Sequence, residues 1–104
     1  MARQKFLTKA IEKTIPALYA QDGKGNDAIA HVKFFQPWGG WTWYATEYDP
    51  EQGLFFGWAS DGMNDGELGY FSAEELQSLK GPFGLYIERD IHFTAKPLAE
   101  AIGS

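Results

Sequence analysis

Four acidic residues and one arginine carry most of the chemistry this sequence could perform. Glu47, Glu67, Glu88 and Asp90 each fall at the end of a strand-like run, and Arg89 lies between the last two. Three carboxylates brought to one point could bind Mg2+ or Mn2+, which take oxygen ligands. Such a metal could activate water for a hydrolase or nuclease reaction. The plainer reading, which we favour, is ordinary strand-end charge with structural ion pairing. Convergence is not assured by spacing, because in a meander the end of the second strand and the start of the fourth lie on different edges unless the register shifts them. Alternation along a strand points Arg89 away from Glu88 and Asp90. A half-buried Arg89 is then expected to hold a carboxylate bidentately, Glu47 or Glu67. The functional variant has Arg89 receiving an anionic ligand.

The aromatic residues form a second candidate. Trp41 and Trp43 share one strand face, with Thr42, Tyr44 and Thr46 on the other. Exposed rings on a sheet can stack sugars or bases, whereas a small domain also needs large rings for its core. Trp38 stands out because a hairpin tip is hard to bury. The candidate binding residues are therefore Trp38, Glu47, Glu67, Glu88, Arg89 and Asp90. No catalytic residue, metal ligand or cofactor is assigned. His31 and His92 lack any metal-binding spacing. The stretch Gly62 to Gly69 has no P-loop lysine. Asp61-x-Met63-x-Asp65-Gly66 echoes a calcium loop, but Met63 replaces an oxygen ligand and position twelve is Ser72.

The elements that must position these residues are legible in turn signals. Thr8 caps a short helix that ends before Pro16, and residues 21–27 form a polar loop. Four strands follow: Ala28 to Gln36, Trp41 to Tyr48, Leu54 to Ser60 and Glu67 to Phe71. Gly39-Gly40 is expected to supply positive φ angles for the first hairpin, and Asn64-Asp65-Gly66 to turn the third. Pro50 and Gly53 suit the second. Short connections make these strands antiparallel neighbours, since parallel strands need long crossovers. Ser72-Ala73-Glu74-Glu75 is a capping box opening a helix. Gly84 to Arg89 reads as a fifth strand, and Pro97 as the first turn of a last helix ending near Gly103. The expectation is one α+β domain over residues 1–104: an antiparallel meander of four to five strands with two to three helices packed on it.

Charge narrows the partners. The chain has 104 residues, 14 acids against 9 bases, a net charge of −5 and no cysteine. Disulfides and thiolate metal sites are thereby excluded. No apolar run is long enough for a membrane helix, and nothing reads as a signal peptide, so the cytoplasm is the expected compartment. Residues 34–79 contain no Lys or Arg but hold Glu47, Asp49, Glu51, Asp61, Asp65, Glu67, Glu74 and Glu75. Phosphate backbones are repelled by such a block, so nucleic acid is not expected there. The block is either a solvated face or a surface for a protein partner, one that imitates a polyanion.

Several segments together resemble a known family. They are Lys33-Phe34-Phe35-x-Pro37, Trp41-Thr42-Trp43-Tyr44-x-Thr46-Glu47-x-Asp49, Leu54-Phe55-Phe56-Gly57, Glu67-Leu68-Gly69-Tyr70-Phe71-Ser72-x-x-Glu75-Leu76 and Ile87-Glu88-Arg89-Asp90. Over residues 7–100 the chain is similar to the bacterial domain of unknown function 2958. The resemblance implies a small bacterial protein carried on mobile elements, and brings no activity, cofactor or catalytic residue. The expected function is a non-catalytic binding or accessory protein with an acidic partner-facing surface; the alternative is the metal-dependent hydrolase or nuclease.

Overall fold

The computed structural model describes residues 5–103. The expected meander is present and explains its own connections. Helix α1 (Lys9–Glu12) is capped by Thr8, whose hydroxyl accepts the Ile11 N–H. Strands β2 (Val32–Phe35), β3 (Thr42–Asp49), β4 (Leu54–Ser60) and β5 (Glu67–Ser72) pair antiparallel in succession. Between β3 and β4, the Asp49 carboxylate accepts the Glu51 N–H and the Gln52 side-chain amide, and Gly53 turns the chain at φ +62°.

The first hairpin turn works differently from expectation, and the third also rests on close packing. Gly39 and Gly40 do not take the expected positive φ angles. Gly40 is small because the chain passes close by: a Cβ there would come within 2.5 Å of the Asp61 carbonyl oxygen. Gly66 lies against the Trp58 indole, 2.2 Å from where its Cβ would be. Close approach, not backbone handedness, is what these positions require.

The N-terminal and C-terminal strands are also redrawn. The run expected over 28–36 splits at His31 into β1 (Ile29–Ala30) and β2, because β1 leaves the main sheet to pair with β7 (Lys96–Pro97). Pro97 thus sits in a strand pair, and helix α3 begins after it (Leu98–Gly103). Helix α2 (Ala73–Ser78) starts where the capping box placed it, with the Ser72 hydroxyl accepting the Glu75 N–H. The expected fifth strand over 84–89 shortens to β6 (Glu88–Arg89), since residues 82–84 form a single 3-10 turn. The main sheet runs β5-β4-β3-β2-β6, so β6 closes the edge opposite β5.

Both faces of this sheet are covered, which is why β3 is buried along most of its length. One face carries Val32, Phe34, Trp43, Ala45, Tyr48 and Phe55 against Phe6, Ile15, Ala73, Leu76 and Ile87. The rings of Phe6 and Phe34 stack at 4.4 Å, and Tyr48 and Phe55 at 4.3 Å. Each such large apolar side chain contributes about 1.5–3 kcal/mol when fully buried. The other face carries Tyr44 against Ala28, Ala30, Leu98 and Ala101. A bulge between Ala45 and Glu47 resets the alternation of β3. The architecture is α+β, as the turn signals implied. No helix among the described residues is long and apolar enough to cross a membrane.

Candidate functional site

The strand-end carboxylates are distributed, not gathered. Glu67 lies on β5 and Glu88 on β6, opposite edges separated by four interstrand spacings, about 19 Å. Glu47 stands level with Phe56 and, through it, Tyr70. Tyr70 is three residues from Glu67, so Glu47 and Glu67 leave opposite faces of the sheet. Glu88 is level with Phe35 and Thr42; Thr42 is five residues from Glu47 along β3, about 17 Å. Among the described residues, no three His, Cys, Asp or Glu side chains are grouped to hold a metal ion. The hydrolase alternative needed these carboxylates in one cleft, and they do not share one.

Each of the remaining candidates has a definite place. Glu47 is buried at 4% exposure, an exception to the rule that charge stays wet. Its Oε1 accepts the Tyr19 N–H at 2.8 Å and its Oε2 accepts the Gln21 N–H at 2.7 Å. Tyr19 has φ +72°, a left-handed conformation that costs a non-glycine residue about 1–2 kcal/mol. The carboxylate therefore pins a strained turn to the sheet. Contrary to the expectation from sequence, Arg89 does not hold Glu47 or Glu67. Its Nη1 donates to the main-chain carbonyls of Lys5 and Phe6 at 2.6 and 3.0 Å, because β6 sits beside the N-terminal segment and Phe34. Asp90 pairs with Lys33 at 3.8 Å. Trp38 is half-buried against the core, with its indole lying on Gly81, so this hairpin tip is not bare.

The open feature of the molecule lies on the face that α2 covers only in part. Helix α2 packs by Ala73 and Leu76 onto the cluster containing Tyr48 and Phe55. Beyond it, Trp43, Ala59 and Glu67 form one cross-strand row, so all three point to the same side. They belong to a cleft of about 410 Å³. Trp41 stacks on Trp43 at 5.7 Å with 15° between planes, and remains 42% exposed. Gly69 leaves the cleft floor empty, with no atom within 4 Å of where its Cβ would be. Asp61, Asp65 and Glu67 stand around the cleft, and among the described residues no Lys or Arg lines it.

The rim is held by local hydrogen bonds. The Asp61 carboxylate accepts the Asn64 and Met63 N–H groups and the Asn64 side-chain amide, which hold its pKa below the usual carboxylate range. The Ser60 hydroxyl accepts the Gly62 N–H and donates to the Asn64 carbonyl. Asp65 and Glu67 are exposed. Sequence reasoning selected Glu67 but not Trp41, Asp61, Asp65 or Gly69. Alternation did place Trp41 and Trp43 on one face; the three-strand register that sets them beside Glu67 is a pairing between distant segments.

Fold and site together define an α+β protein with one antiparallel five-stranded sheet, an aromatic cleft and an acidic rim. The chain belongs to the family described as Protein of unknown function (DUF2958), whose model matches residues 6–102. No curated protein and no solved structure matches the chain significantly.

Proposed function

We propose that this chain is a non-catalytic, single-domain binding protein that presents an acidic surface to a protein partner. The observation that carries the reading is the open cleft between Trp41–Trp43 and Glu67, surrounded by Asp61 and Asp65 and, among the described residues, lined by no cation. An exposed aromatic surface with a carboxylate rim suits a partner bearing apolar and basic groups. It disfavours a phosphate backbone, which carboxylates repel. The resemblance implies the setting, an accessory protein of a bacterial mobile element, and the lack of a signal-peptide pattern puts it in the cytoplasm as an expectation.

The test is affinity capture from host lysate with the full chain as bait, across a salt series. A specific protein should be retained at low salt and released as salt rises, because exposed charge pairs are screened over about 10 Å at 0.1 M. The double substitution Asp65→Lys with Glu67→Lys should abolish capture, while Glu74→Lys on α2 should retain it. Recovery of the same partner by the double variant, or no partner at any salt, overturns the proposal.

A further inference from the structure

We propose that the cleft takes the guanidinium group of an arginine on a protein partner, stacked on Trp41 and paired with Glu67. This deepens the function proposed above and rests on it. The two indoles already form a near-parallel stack, and Trp41 remains partly exposed beside the cleft. A flat cation can extend such a stack, whereas an ammonium is a compact point charge. Arginine is the cation most often found over aromatic faces. Its fork of N–H donors also matches a carboxylate bidentately.

The row geometry supplies that carboxylate. Glu67 is two strands from Trp43 along one row, about 10 Å, with only the small side chain of Ala59 between them. An arginine side chain laid over Ala59 could reach both walls. Gly69 adds unfilled space alongside. Among the described residues, neither Asp65 nor Glu67 is engaged by a cation of this chain. Arg89 is already clasped to the Lys5 and Phe6 carbonyls, so this chain's own Arg89 is not the occupant. The cleft reaches β5, an edge strand paired on one side only, and an extended segment can approach it from that edge.

The experiment is a nuclear magnetic resonance titration of the full chain with short blocked peptides differing at one position: arginine, lysine or citrulline. The indole N–H resonances of Trp41 and Trp43 report on the cleft. The arginine peptide should shift them saturably, with lysine roughly five- to tenfold weaker and citrulline weaker still. Glu67→Gln should reduce arginine affinity roughly fivefold or more by removing the charged acceptor. Gly69→Val fills the cleft where a Cβ meets nothing, and valine suits a strand. It should abolish the shifts while leaving thermal stability equal or higher, which separates blockage from unfolding. Equal response to arginine, lysine and citrulline, or undiminished arginine binding by Gly69→Val, overturns the assignment. If the lysate partner is captured and lost on charge reversal but the peptides are not discriminated, the acidic surface stands and the arginine does not. Failure of both removes the function as well.

Discussion

At the scale of single residues, Glu47 shows how an acidic side chain can be structural in a protein whose other acids face water. Its two oxygens meet two main-chain donors, at Tyr19 and Gln21, and the second contact is buried. Gln21 extends the arrangement: its side-chain amide donates to the Ile29 and Thr46 carbonyls and its oxygen accepts the Ile29 N–H. The turn over residues 19–21 is thereby tied to β1 and β3. Glu47→Gln replaces one acceptor by a donor that faces an N–H group. Hydrogen bonds to charged groups are worth about 1.5–3 kcal/mol each. The variant should lose on that scale in urea denaturation, and Gln21→Ala should destabilise the same turn. A Glu47→Gln protein as stable as the parent would show that the carboxylate is dispensable there.

At the scale of elements, helix α2 and the turns around the cleft are short pieces whose ends matter more than their middles. A six-residue helix has too few turns to stand by propensity; it is held by Ala73 and Leu76 against the sheet and by the Ser72 cap. Removing that cap with Ser72→Ala should cost about 1 kcal/mol. The urea midpoint should fall with an unchanged denaturant slope, since the surface exposed on unfolding is the same. A change in slope would mean that α2 unfolds separately from the sheet. The 61–66 turn is organised by Asp61 and Ser60, and it carries the rim of the cleft. Gly66, which closes that turn, is small because the Trp58 ring lies on it.

At the scale of the whole molecule, packing around the sheet gives stability one pH-dependent contribution. His31 occupies the break between β1 and β2, where burial lowers its pKa from the ordinary value. The folded state then binds this proton less readily than the unfolded chain does. Stability from this group is present above the unfolded value near 6.5. It is lost as pH falls from there to the lowered folded value. His31→Gln should flatten that part of the stability profile, as read from thermal midpoints between pH 7 and 5. An unchanged slope in the variant would assign the dependence to other groups.

Much of this architecture was present in local sequence. The Thr8 and Ser72 caps, the Asp49 to Gly53 turn and the alternation of apolar residues act over a few positions, so hydrogen bonding and sterics between near neighbours decide them. They were enough for the antiparallel meander and the α+β class. What they could not settle is which distant segments share a row or an edge. That choice depends on burial against both faces, which only the folded chain provides. It sent Glu67 and Glu88 to opposite edges and Glu47 inside. It turned Arg89 toward main-chain carbonyls rather than a carboxylate, and it left Trp41, Gly69 and Glu67 around one open cleft.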